Sequence, residues 1–192
     1  MKSNSGKKTI LITGASDGIG KAMALRLAED GHKLLLCGRN KERLQEVANQ
    51  CGEGAQIFVF DINDHEARNA ELKKIGDLDV LINNAGIWQK LGELETVSDQ
   101  DIIDIINTNL TSQIILTKKL LPLIKSSNGT IVNIISKSGI AAQAGQSVYT
   151  ASKYGMRGFT EVLREDLKNE GVRVLGVYQS GTNTRMFSKA GD

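Results

Sequence analysis

The chain has 192 residues, 40% of them apolar and 24% charged, the size and balance of one globular domain that folds without disulfides or a structural metal. A net charge of +2, with no basic run interleaved with aromatics, argues against a nucleic-acid partner or an anionic membrane surface. Cys37 and Cys51 are too few for a disulfide framework, and His32 and His65 lie far apart with no cysteine at ligand spacing, so a reducing compartment and no metal site are expected.

The opening residues carry only a short apolar run before Thr13 and Gly14, too brief for a signal-peptide core or a membrane span, so a cytoplasmic protein is expected. That run, Thr9 to Ile12, reads as a strand. Residues 18–30 then show a helical face through Ile19, Met23, Leu25 and Leu27, stopped at Gly31. Lys33 to Cys37 is a second strand, and residues 40–50 form a charged helix with Leu44 and Val47 inward. Gln56 to Phe60 is a third strand, 64–75 a helix and Val80 to Ile82 a fourth strand. One long helix is predicted from Ser98, paired as a cap with Asp101, to Lys125, with Pro122 near its end. Ile131 to Ile135, a helix over 148–169 and a strand over Val172 to Val177 complete the pattern. Strands separated by helices, with no hairpin signals, imply an α/β domain with a parallel sheet covered on both faces. No repeat or linker divides the chain.

Three stretches carry chemistry. Gly14, Gly18 and Gly20 are spaced G-x-x-x-G-x-G between the first strand and the first helix. Such a turn lets the backbone approach a diphosphate while the helix start offers its amides to the anion. No acid stands at the end of the second strand to hold a ribose 2′-hydroxyl. Arg39 stands there instead, and its guanidinium suits a 2′-phosphate, which favours NADP(H) over NAD(H). Tyr149 and Lys153, four apart, share a helix face. A nearby ammonium would lower the phenol from its usual pKa of about 10. The phenol could then pass a proton to a carbonyl oxygen, or take one from an alcohol, as hydride moves at a cofactor.

With Asn83-Asn84-Ala85-Gly86 after the fourth strand and Ser136 after the fifth, the order and spacing from about Thr9 to Thr184 resemble the classical short-chain dehydrogenase/reductase family. The resemblance implies a Rossmann-type doubly wound fold and a catalytic set of Asn109, Ser136, Tyr149 and Lys153. Ser136, thirteen residues before the tyrosine, would hydrogen-bond the substrate oxygen. Asn109 would bend the long helix and hold a water that relays protons, and Lys153 would also hold the nicotinamide ribose. The implied cofactor contacts are Gly14, Ser16, Asp17, Gly18, Ile19 and Gly20 in the turn, Arg39, Asp61 and Ile62 around the adenosine, Asn84, Ala85 and Gly86 beside the ribose, and Thr182 and Thr184 near the carboxamide. Trp88 would lie near the substrate mouth, to shield a substrate or to cap the core.

The sequence also departs from the family pattern. Gln179-Ser180 replaces the usual Pro-Gly after the sixth strand, and Asp17 stands where many NADP-dependent members have a basic residue. The chain ends at Asp192, so a single domain over 1–192 without the family's last helix and strand is expected. The expected function is a carbonyl reductase or alcohol dehydrogenase acting on a small molecule, and the alternative is a dinucleotide-binding sensor or subunit with little catalysis. Pairing through the 98–125 and 148–169 helices would give a homodimer or homotetramer.

Overall fold

A computed structural model of the chain describes residues 6–181. Six strands, β1 (Thr9–Thr13), β2 (Lys33–Gly38), β3 (Ala55–Val59), β4 (Val80–Asn83), β5 (Thr130–Ile134) and β6 (Arg173–Val177), form one parallel sheet in the order β3-β2-β1-β4-β5-β6. The helices are α1 (Gly18–Glu29), α2 (Lys41–Cys51), α3 (His65–Leu72), α4 (Asp99–Ile106), α5 (Ser112–Ser126) and α6 (Ser147–Leu167). The fold is a Rossmann-type doubly wound sheet. The strand order reverses between β1 and β4, and a crevice opens at their carboxyl ends.

The unbroken apolar run of β2 has its cause in that layering. Leu35, with Leu11, Leu81 and Ile131 of neighbouring strands, packs against Leu72 of α3 and Leu116, Leu120 and Ile124 of α5. Leu34 and Leu36, with Ile10 and Ile12, face the other way onto Ala24 of α1 and Leu44 and Val47 of α2. A strand buried on both faces cannot alternate apolar with polar residues. At the sheet's far edge Leu175 and Val177 of β6 stay about half-exposed.

The single helix predicted over 98–125 is three pieces. Between α4 and α5, residues Asn107–Thr111 form a π-helical turn, in which the Ser112 N–H reaches back five residues to the Asn107 carbonyl. Asn63, in the loop after β3, holds this turn open: its Nδ2 donates to Thr108 Oγ1 at 2.8 Å, and its Oδ1 accepts from Ser112 Oγ at 2.7 Å. The Ser98 cap forms as read, except that the short Asp101 carboxylate meets the serine hydroxyl at 2.7 Å while the Asp101 N–H donates to that same hydroxyl oxygen. No helix among the described residues is long and apolar enough to cross a membrane.

Candidate active site

A cleft of about 1240 Å³ opens at the carboxyl ends of β1, β4 and β5. Its floor is the turn from β1 into α1. Gly20 lines no part of the cleft; it is a packing position, where a Cβ would stand 2.2 Å from the Gly14 carbonyl oxygen. Gly18 begins α1 at φ +51°, in the left-handed region that favours glycine. Asp17 caps the helix, its Oδ1 accepting the Gly18 N–H at 2.8 Å. Gly14, Ser16, Asp17, Gly18 and Ile19 all line the cleft, so the opening turn of a twelve-residue helix borders the space a diphosphate would need.

Thr13 and Asn84 lock that turn to β4. The Thr13 hydroxyl oxygen accepts the backbone N–H groups of Asn84 and Ala85, both at 2.9 Å, and donates to the Ile82 carbonyl. The Asn84 side chain donates back to the carbonyls of Thr13 at 2.9 Å and Gly14 at 3.4 Å. Asn84, Ala85 and Gly86 border the cleft, as do Asp61 and Ile62.

Beyond β2, Arg39 lies 3.4 Å from Asp61 and is largely exposed, and Arg43 lies 3.9 Å from Asp17. Both guanidiniums line the cleft. Arg43 is absent from the sequence reading, although its place four residues after Arg39 at the start of a helix was the available signal. These residues suit a dinucleotide: a glycine turn at a helix start, and two cations where its adenosine end would lie.

Ser136, Tyr149 and Lys153 meet at the other end. Ser136 follows β5 at φ +113°, ψ 153°, a backbone region nearly exclusive to glycine. Bonds to the end of β6 hold it there: the N–H groups of Ile135 and Ser136 donate to the Val177 carbonyl, and that of Lys137 to Gln179. The Ser136 hydroxyl accepts the Ser138 N–H at 3.2 Å and stands near enough to the Tyr149 phenol to affect its acidity.

Tyr149 and Lys153 are almost fully buried, with 4% and 6% of their surface exposed. Lys153 Nζ lies over the Tyr149 ring, 5.6 Å from its centroid, and donates to the Ile134 carbonyl at 3.2 Å. Burial lowers the lysine pKa to about 8. Burial also pushes the phenol above its ordinary value, opposed by the neighbouring Ser136 hydroxyl. The lowering expected from Lys153 does not appear in this state: loss of water dominates, and the phenol stands above its ordinary value.

Asn109 does not line the cleft. It is buried inside the π-helical turn, where Oδ1 accepts the Ile87 N–H at 2.8 Å while Nδ2 donates to the Ile87 carbonyl at 2.9 Å and to Ser152 Oγ at 3.2 Å. Trp88, next to this clamp, sets its ring edge-on to Tyr149 with centroids 4.5 Å apart. Gln89, also unread in the sequence, is 2% exposed and bonded to α6. Thr182 and Thr184 lie outside the described residues.

A family profile described as short chain dehydrogenase matches residues 8–192. Among curated proteins, a serine 3-dehydrogenase of Agrobacterium fabrum is 35% identical over 173 residues, which cover 88% of this chain and 70% of that protein. Among solved structures, a 3-ketoacyl-(acyl-carrier-protein) reductase from Brucella melitensis complexed with NADH superimposes with a TM-score of 0.89 at 30% identity, covering 97% of this chain and 80% of that one. A short-chain dehydrogenase from Sphingobium yanoikuyae in complex with NADPH also gives 0.89, at 33% identity, over 96% of this chain and 75% of that one.

Proposed function

This chain belongs to the short chain dehydrogenase family, oxidoreductases acting on CH–OH or C=O groups with NAD(P), and we propose that it is an NADP(H)-dependent carbonyl reductase or alcohol dehydrogenase with Tyr149 as general acid and base. One observation carries the reading. A buried tyrosine, sharing its end of the cleft with Ser136 and overlain by Lys153, lines the same cleft as a glycine turn at a helix start.

The dinucleotide, when bound, supplies or accepts the hydride. In reduction, the Ser136 hydroxyl orients the carbonyl oxygen, and the Tyr149 hydroxyl delivers the proton that completes the alcohol. In oxidation the same phenolic oxygen takes the proton back. Lys153, with a pKa near 8, exchanges protons close to neutral pH and replenishes the phenol. Asn109 acts from the π-helical turn by fixing the Ile87 backbone in the loop and Ser152 on α6, whose hydroxyl donates to the Tyr149 carbonyl. NADP(H) is favoured over NAD(H) by the two guanidiniums of Arg39 and Arg43 and by the lack of an acid at the end of β2. Copies pair as a homodimer or homotetramer through the 98–125 and 148–169 helices, where Ile103 of α4 and Tyr154 and Val162 of α6 are exposed, and the enzyme works in the cytoplasm.

The test is turnover of NADPH against a panel of ketones that includes 3-oxoacyl thioesters, and of NADP+ against serine and other alcohols. Tyr149→Phe should cut kcat by about 10²–10⁴-fold, the range for a lost general acid, without weakening NADPH binding. Turnover preserved in that variant would remove Tyr149 from the mechanism. Tight NADPH binding with no turnover on any panel member would make the chain a nucleotide-binding protein instead.

A further inference from the structure

The first turn of a helix presents backbone N–H groups that no residue of that helix can satisfy. In α6 the first amide with an intrahelical partner is that of Thr150, which donates to the Gln146 carbonyl at 2.8 Å. The amides of Val148 and Tyr149 precede it. Gln146, at the cap position, makes no side-chain capping bond. The missing acceptor comes from a distant part of the chain. Gln89, in the loop between β4 and α4, directs Oε1 at both amides, 2.9 Å from Val148 N and 3.0 Å from Tyr149 N. Its Nε2 donates to the Gly145 carbonyl at 3.4 Å, and that carbonyl also accepts the Gly92 N–H at 3.2 Å.

We propose that Gln89 is a positioning residue for Tyr149: it caps α6 from the β4–α4 loop and thereby sets where the phenol stands relative to Ser136. The loop is fit for this because it is anchored just upstream. Asn109 grips both polar backbone groups of Ile87, and Trp88 packs edge-on to the Tyr149 ring. Residues 88 and 89 thus hold the tyrosine by its ring and by its main chain. A buried glutamine that merely filled space would leave its oxygen free of those two amides.

The proposal rests on the acid–base reading of Tyr149 for its functional half, and its structural half is measured without turnover. Hydrogen exchange at the Val148 and Tyr149 amides should speed up about tenfold or more in Gln89→Leu, and remain slow in Gln89→Glu, which keeps an acceptor oxygen at the same reach. Amides of the central strands should be unchanged in both. On the panel member turned over fastest, Gln89→Leu should lose about tenfold or more in kcat with KM for NADPH within twofold, and Gln89→Glu should recover most of that loss. If Gln89→Leu does not fold, Gln89→Asn keeps the amide but falls one carbon short, and should open the same two amides. Unchanged exchange in the acceptor-lacking variants, or no recovery by Gln89→Glu, would overturn the proposal. Wild-type turnover in Tyr149→Phe would sink the acid–base reading while leaving the exchange result standing, so the two failures are distinguishable.

Discussion

Replacing Lys153 with methionine should stabilise the protein in the absence of a dinucleotide. The lysine is buried, makes no ion pair among the described residues and donates to the Ile134 carbonyl. Its drop from an ordinary 10.5 to about 8 corresponds to roughly 3 kcal/mol of destabilisation at pH 7, at 1.36 kcal/mol per pH unit. Methionine fills similar space without the charge, and losing the bond to Ile134 costs about 1 kcal/mol. The net gain is roughly 2 kcal/mol, or about 4–8 °C in Tm for a domain of this size. The sign with pH follows from the same values. Below pH 8 the lysine is charged both folded and unfolded, and the full cost is present. Between 8 and 10.5 the folded state gives up its proton first, so the wild type gains stability as pH rises and the gap to Lys153→Met closes. Cys37, whose thiol burial pushes up, is common to both proteins and cancels in the comparison. The assay is thermal unfolding of the two proteins from pH 6.5 to 10. A methionine variant no more stable at pH 7, or a gap that ignores pH, would refute the reasoning.

Ser136 and the two arginines give the remaining tests. Ser136→Gly and Ser136→Ala both remove the hydroxyl and should both lose turnover, but only glycine relaxes the backbone at φ +113°. Glycine should therefore be the more stable of the two by about 1 kcal/mol, after its own entropy cost of roughly 0.5–1 kcal/mol is subtracted from a strain of about 1–3. Thermal melts that rank alanine equal or higher would show an unstrained site. Alanine at both Arg39 and Arg43 should raise KM for NADPH by about tenfold or more and leave KM for NADH nearly unchanged. An equal loss with both cofactors would remove the 2′-phosphate assignment.

The sheet was legible because each strand is a short apolar run ended by a turn residue, and burial on both faces leaves no ambiguous alternation to misread. Every strand bound agrees with the sequence reading within one residue. The π-helical turn was not legible in the residue pattern, and only the family resemblance marked its place, as a bend at Asn109. Asn107-Thr108-Asn109-Leu110-Thr111 fits a regular helical pattern, and the device that opens it, Asn63, is 45 residues from Thr108. The cap by Gln89 was hidden for the same reason, since its partners lie 59 and 60 residues away. Local spacing cannot report a bond whose two ends meet only after the sheet has formed.

The electrostatic state of the site was hidden for a different reason. Spacing puts Lys153 beside Tyr149, but it does not say how dry the pair is, and dryness decides the direction in which both groups move. A chance pair on a helix surface would resemble Tyr154, on the same helix and 42% exposed. Instead, three groups at one end of the cleft are each held in a costly state: a phenol without water, an ammonium without a counter-ion among the described residues, and a serine in a glycine conformation. Costs of this kind persist only where surrounding bonds over-determine them. The Val177 and Gln179 carbonyls hold Ser136, the Ile134 carbonyl holds Lys153, and Gln89 holds the main chain of Tyr149. Three independent sets of bonds converging on adjacent unfavourable groups fit the proposed catalytic role better than an accident of helix spacing.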